Sequence, residues 1–207
     1  MYRREKTGMK HTKVIGLTGG VGSGKSTIGK LMVEKFGVTL VVSDEIGHLC
    51  MEPGEEAYDK IIEKFGKNIL DENRKIDRKK LSSVVFGNEE KLKILNNIIH
   101  PAVRKYVEQK IKEAKEKKEL YFVIESAILL QAGFGDICDE IWYVQVSEQT
   151  RRERLKASRG YSDEKIDSIL KNQWSDMKFL EKADKTIWNE GELNKVVQQI
   201  KELLNNE

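Results

Sequence analysis

Gly16-Leu17-Thr18-Gly19-Gly20-Val21-Gly22-Ser23-Gly24-Lys25-Ser26-Thr27 is the stretch on which the reading of this chain turns. An apolar run beginning at Val14 leads into it. An amphipathic stretch leads out, with Ile28, Leu31, Met32 and Phe36 on one stripe and Gly37 at its end. A strand that passes through a glycine-rich turn into a helix aims backbone N–H groups, and the positive end of the helix, at an anion. From Gly19 to Ser26 the residues satisfy the Walker A pattern of Gly, four residues and Gly-Lys-Ser. Gly20, Val21, Gly22, Ser23, Gly24, Lys25, Ser26 and Thr27 are therefore expected to bind the phosphates of ATP. Lys25 should reach the β- and γ-phosphates, and Ser26 should ligate Mg²⁺.

Outward from this motif, short apolar runs alternate with amphipathic stretches. Val14–Thr18, Val38–Val42, Leu120–Ile124, Ile141–Val146 and Thr186–Trp188 read as strands, and their near-continuous apolar character suits strands covered on both faces. The expected fold class is α/β, a P-loop NTPase-type parallel five-stranded sheet flanked by helices. Leu193, Val196, Val197, Ile200 and Leu204 form a C-terminal helical stripe that should pack on that sheet. About 75 residues separate the second and third strands, far more than a crossover needs, so a helical part is inserted there. Within it, the Lys/Glu-rich run Glu108–Glu119 reads as the solvated face of a long helix.

A chain of 207 residues fits one architectural unit with insertions, and Lys plus Arg (37) nearly balance Asp plus Glu (34). That balance gives no argument for nucleic acid or an anionic membrane as partner. Cys50 and Cys138 stand apart, and the three histidines lack metal-ligand spacing, so neither a disulfide framework nor a zinc site is expected. A reducing cytoplasm suits that usage. Met1–Gly8 is basic without an apolar core and reads as a loose tail, with Met9 a possible second start. No run of about 18 apolar residues is present to span a bilayer.

Four further places carry candidate chemistry. Asp44 follows the second strand, at the edge where ligands bind in open α/β sheets; it either takes a proton from an acceptor hydroxyl or caps the helix starting near Glu45. Glu125 ends the third strand, as a carboxylate near the magnesium or as a brace for the following turn. Arg151, Arg152, Arg154 and Arg159 follow the fourth strand, with Tyr161 and a helix starting near Ser162 beyond. They either close over the transferred phosphoryl group or form a salt-bridged helix face. Helical spacing puts Arg151 and Arg154 on one side and Arg152 on another. His100-Pro101 interrupts the apolar stripe of Leu92, Leu95, Ile98 and Ile99, so a corner is expected, with Pro101 opening a new helix and His100 as a cap or a ligand.

Together these residues resemble the dephospho-CoA kinase family from Val14 onward. Asp44 falls where that family keeps its catalytic aspartate. Glu52-Pro53-Gly54, Phe65-Gly66, Asp77-Arg78 with Leu81, Val85-Phe86, Ile99-His100-Pro101, and Ala183-Asp184 with Asn189-Glu190-Gly191 stand at the family's spacings. The resemblance implies phosphorylation of the ribose 3′-hydroxyl of dephospho-CoA by ATP with Mg²⁺. It also implies a nucleotide-binding core (14–52, 119–147, 178–207), a helical CoA-binding insertion (53–118) and a lid (148–177). In its light Asp44, Lys25, Arg154 and Arg159 become the catalytic candidates. Thr18, Asp44, His100 and Arg104 become acceptor contacts, Asn189 a neighbour of the adenine, and Ser26 and Glu125 the metal residues. The small-molecule acceptor is the only partner implied, with the monomer favoured. Two departures stand out. Ala127-Ile128-Leu129-Leu130-Gln131 replaces the family's Pro-Leu-Leu-x-Glu, and the spacing from Arg154 to Arg159 is one residue longer than the family's.

Two other readings compete. A kinase acting on a nucleoside or on shikimate would share the core chemistry, but the long insertion with its His-Pro pair argues against it. A guanine-nucleotide switch would carry an Asn-Lys-x-Asp motif, which the chain lacks.

Overall fold

The computed structural model describes residues 11–205, so the expectations for Met1–Gly8 and Met9 lie outside the described residues. Five strands, β1 (Lys13–Thr18), β2 (Thr39–Val42), β3 (Tyr121–Glu125), β4 (Glu140–Gln145) and β5 (Lys185–Trp188), form one sheet in the order β2-β3-β1-β4-β5. Each strand bound lies within one residue of the apolar run that announced it. β1 pairs parallel with β3 (Lys13 beside Tyr121) and with β4 (Ile15 beside Glu140), and β4 pairs parallel with β5 (Trp142 beside Lys185).

The helices among the described residues are α1 (Lys25–Phe36), α2 (Ser43–Leu49), α3 (Tyr58–Phe65), α4 (Arg78–Val85), α5 (Glu89–Glu116), α6 (Glu148–Arg159), α7 (Asp163–Lys171), α8 (Asp176–Leu180) and α9 (Leu193–Asn205). The chain divides into two compact units, Val41–Lys110 and the remainder.

In the larger unit the strand pleat sorts side chains by parity. Ile15 and Leu17, Val123, Trp142 and Val144, and Ile187 share one face and are buried under Ile28 and Met32 of α1 and Val196, Ile200 and Leu204 of α9. Leu193, which the stripe assigned to the buried face, is instead exposed at the start of α9, where no preceding turn of helix covers it. Gly37 ends α1 with φ 64°, and its N–H reaches the carbonyls of Met32 and Val33. On the other face of the sheet, Leu129 covers β1 so closely that a Cβ at Gly16 would stand 2.7 Å from its Cδ2.

The smaller unit is helical, with Ala57, Ile61, Ile69, Leu81, Leu95, Val103 and Val107 buried. Asp77 caps α4 by accepting from the N–H groups of Lys79 and Lys80. The corner expected at His100-Pro101 is not there, because Pro101 lies inside the 28-residue α5. Proline removes one i→i−4 hydrogen bond, a defect of about 3 kcal/mol in a helix interior. Leu95 before it and Ala102, Val103 and Val107 after it are all buried by the continued helix, and that burial outweighs the defect.

Candidate active site

The loop after β1 has the shape that its glycines permit. Ser23 N–H donates to the Gly20 carbonyl at 3.1 Å, closing the turn, and Gly24 at φ 91° hands the chain to α1 without a side-chain cap. Lys25 Nζ donates to the Gly20 carbonyl at 3.3 Å, so its charge is held over the loop. Thr27 is exposed on the first turn of α1, and Thr18 is buried at the end of β1, its Oγ1 without a hydrogen-bond partner.

Ser26 and Glu125 meet. The Ser26 hydroxyl donates to Glu125 Oε1 at 2.7 Å. Glu125 is buried, 4% exposed, and its Oε2 has no partner. An unpaired buried carboxylate oxygen is costly, so this one is available to a ligand. A hydroxyl and a carboxylate at the phosphate loop are the kind of oxygen donors that a hard divalent cation takes when phosphates and waters complete its shell.

Asn189 and Arg154 converge on the carbonyl of Ser23. The Asn189 side-chain amide donates to it at 2.7 Å, and Arg154 Nη1 donates to it at 3.3 Å. Arg154 Nη2 also donates to the Asn189 carbonyl at 2.9 Å. β5 delivers Asn189 and α6 delivers Arg154, so the loop is gripped from two elements distant in sequence. Glu190 sets the start of α6 by accepting from Ser147 N–H at 2.6 Å and from the Thr150 hydroxyl at 2.9 Å. Those hydrogen bonds, the one from Ser147 foremost, hold its carboxyl below the ordinary range.

The four arginines of α6 part company, as helical spacing requires. Arg151 is buried against the loop: a Cβ at Gly20 would lie 3.0 Å from its Nη1, and one at Gly22 would lie 2.9 Å from its Cγ. Its Nη2 donates to Asp176 Oδ1 at 3.0 Å. Arg152 turns away to Glu148 and Asp167, at 2.8 and 2.5 Å. Arg159, the last residue of α6, is exposed, with its guanidinium carbon 5.9 Å from the centre of the Tyr161 ring. Gln173 was not anticipated: its Oε1 accepts the Val21 N–H at 3.1 Å, turning that donor toward the segment between α7 and α8. Neither Gln173 nor Asp176 carries a signal in the sequence, because Gln173 acts through a contact 152 residues away and Asp176 through Tyr143 and Arg151, 33 and 25 residues away on other elements.

The remaining candidates belong to the smaller unit. Asp44 is exposed in the first turn of α2, whose N-cap position is Val42, so it does not cap that helix. A carboxylate in a first helical turn is favoured there by the helix dipole. His100 is partly buried in α5, which pushes its imidazole toward the neutral form. Arg104, one turn on, donates through Nε to Glu108 at 2.8 Å. The same unit holds a cavity of about 1220 Å³ lined by Met51, Leu81, Val85, Phe86, Leu95 and Ile99, with Arg78 and Lys79 also on its wall.

Residues 13–195 match the family model for dephospho-CoA kinase. A dephospho-CoA kinase of Carboxydothermus hydrogenoformans is 39% identical over 191 residues, 92% of each chain. One of Bacillus licheniformis is 40% identical over 194 residues, 93% of this chain and 96% of its own. Among solved structures, a Thermus thermophilus protein superposes with a TM-score of 0.80 at 23% identity, over 95% of this chain and 98% of its own. A shikimate kinase of Acinetobacter baumannii gives 0.55 at 17%, covering 96% of each chain, a likeness of fold alone.

Proposed function

The chain belongs to the dephospho-CoA kinase family and is an ATP-dependent kinase of coenzyme A biosynthesis; from that premise we propose that it phosphorylates the ribose 3′-hydroxyl of dephospho-CoA, and we assign its residues. One observation carries the assignment of the phosphate end: the Ser26 hydroxyl, at the start of α1, lies against the buried Glu125 carboxylate.

Backbone N–H groups from Gly22 to Thr27, with the Lys25 ammonium, take the β- and γ-phosphates. Ser26 and Glu125 would hold Mg²⁺, which would supply charge neutralisation at the phosphate oxygens. Arg154, fixed by the Ser23 and Asn189 carbonyls, stabilises the charge that spreads over the equatorial oxygens in the transition state. Asn189 stands beside the adenine. Asp44, two residues beyond the carboxyl end of β2, accepts the proton of the 3′-hydroxyl as the γ-phosphoryl group transfers to it. Thr18, His100 and Arg104 contact the acceptor. Residues 53–118 form the acceptor-binding part and 148–177 the lid. The reading includes a cytoplasmic monomer, the location in keeping with the free Cys50 and Cys138.

The test is turnover of dephospho-CoA, adenosine and shikimate side by side with ATP, with product analysis for the 3′-phosphate. Turnover of adenosine or shikimate and none of dephospho-CoA would overturn the acceptor while leaving the kinase chemistry in place.

A further inference from the structure

We propose that Arg151 is a positioning residue for the nucleotide: clamped by Asp176, it braces Gly20 and Gly22 from outside and holds the phosphate-binding loop in the shape that receives the triphosphate. The inference rests on the kinase reading given above and adds a residue to which that reading gives no task.

The contacts run from the sheet to the loop. Tyr143, fully buried in β4, donates its hydroxyl to Asp176 Oδ1 at 2.7 Å, and the Phe179 ring stacks on it at 4.9 Å with an interplanar angle of 8°. The same Asp176 oxygen accepts Arg151 Nη2 at 3.0 Å. Arg151 then covers the loop, its Nη1 3.0 Å from where a Cβ of Gly20 would stand and its Cγ 2.9 Å from where one of Gly22 would stand. Beside it, Gln173 takes the Val21 N–H at 3.1 Å. The outer face of Gly20-Val21-Gly22 is thus bounded by side chains from α6 and from the segment that leads into α8. Its position is referred to β4 through Tyr143.

Stability alone gives a poor account of this arrangement. The Arg151 side chain is 7% exposed, while its carboxylate partner is 40% exposed. Its Nε is buried with no hydrogen-bond partner. A buried guanidinium with one half-exposed counter-charge and an unpaired N–H recovers little of its desolvation cost, and an apolar side chain of similar volume would serve packing as well. An arginine does supply a rigid planar group, long enough to reach both Asp176 and the glycine turn, where the glycines leave no side chain of their own to set the loop. Displacing catalytic groups by about an ångström costs up to roughly 10²-fold in rate, so a device that fixes this turn has a measurable function.

The experiment measures ATP and ADP dissociation constants by calorimetry without acceptor, together with kcat, both KM values and thermal melts. It compares the parent with Arg151→Met, Arg151→Lys, Asp176→Asn, Tyr143→Phe and the Arg151→Met/Asp176→Asn pair. Arg151→Met should raise the ATP and ADP dissociation constants about tenfold or more and leave the acceptor KM unchanged. Arg151→Lys should recover part of that loss. Asp176→Asn and Tyr143→Phe should give smaller rises in the same direction, and the pair should bind no worse than Arg151→Met alone, since both act through one contact. Arg152→Gln, whose partners lie on the surface, should leave nucleotide binding as it is. Parent-like nucleotide constants in folded variants, with only the melting temperature lowered, would overturn the proposal, as would additive losses in the pair. Should Arg151→Met not fold, Asp176→Asn and Tyr143→Phe decide by the same constants. These constants are read without acceptor, so a parent enzyme inactive on dephospho-CoA would count against the acceptor assignment and not against the brace.

Discussion

Gly24→Ala tests how tightly the phosphate loop is built. Gly24 has φ 91°, where an L side chain is strained, and its new Cβ would stand 2.3 Å from Asn189 Nδ2. The strain of a left-handed backbone at a non-glycine residue is about 1–2 kcal/mol. The Asn189 amide can retreat only by giving up its 2.7 Å hydrogen bond to the Ser23 carbonyl, about 1 kcal/mol more. The sum, about 2–3 kcal/mol, corresponds to roughly 30- to 150-fold if it falls on nucleotide binding. A coupled assay of ADP release with dephospho-CoA, at varied ATP, reads this as kcat/KM. In an Asn189→Ala background the steric part disappears, so Gly24→Ala should then cost only its backbone strain, and the two losses should combine to less than their sum. A Gly24→Ala enzyme with near-parent kcat/KM, or strict additivity with Asn189→Ala, would refute this account of the loop.

Three further outcomes are expected. Arg154→Ala should lower kcat by up to about 10³-fold, the lower part of the arginine-finger range, while Arg159→Ala loses far less; equal small losses in steady-state assays would return both to the helix surface. Glu190, whose folded pKa is depressed, contributes stability that is fully present above its ordinary value of 4.5 and is lost as pH falls through the folded value. The melting-temperature gap between the parent and Glu190→Gln should accordingly be widest near neutrality and close in acid, and a pH-independent gap would deny the carboxylate its role. Asp44→Asn should lose the roughly 10²- to 10⁴-fold typical of a general base while ATP binding by calorimetry stays intact, whereas His100→Ala should raise the acceptor KM more than the ATP KM.

Strands and loop were legible because each depends on local chemistry. The continuous apolar runs of β1, β3 and β4 are buried on both faces, whereas β5 buries Ile187 alone, and glycines at positive φ, Gly22 and Gly24, make the turn between β1 and α1. α5 was misread at Pro101 because proline's local cost is visible in sequence, whereas the burial of Ala102, Val103 and Val107 that offsets it depends on tertiary packing. Spacing separated Arg152 from Arg151 and Arg154 but could not say which face meets the loop. That depends on where Ser147 starts α6, and Glu190, forty-three residues downstream, helps to set that start. Gln173 and Asp176 were invisible for the same reason, since each matters only through a partner brought to it by the fold.

The late stretch from Ala183 to Gly191 shows how a specific motif can be part scaffold and part site. Asp184 exchanges hydrogen bonds with Ile141, its N–H donating to the Ile141 carbonyl at 2.8 Å and its Oδ2 accepting the Ile141 N–H at 2.7 Å, so it pins β5 to β4 at the start of both strands. At the far end of β5, Asn189 and Glu190 are adjacent in the chain and face different clients. Asn189 grips the Ser23 carbonyl, and Glu190 grips Ser147 and Thr150 at the head of α6. Two neighbouring residues on one strand end therefore tie the phosphate loop and the arginine helix to a common reference. Once that reference is in place, the Arg154 bonds to the Ser23 and Asn189 carbonyls need no further adjustment of either element. The Arg154 guanidinium is thereby held by one carbonyl of the phosphate loop, Ser23, and one just past β5, Asn189; in the proposed reading, where it meets the transferred phosphoryl group, that is the preorganisation electrostatic catalysis requires.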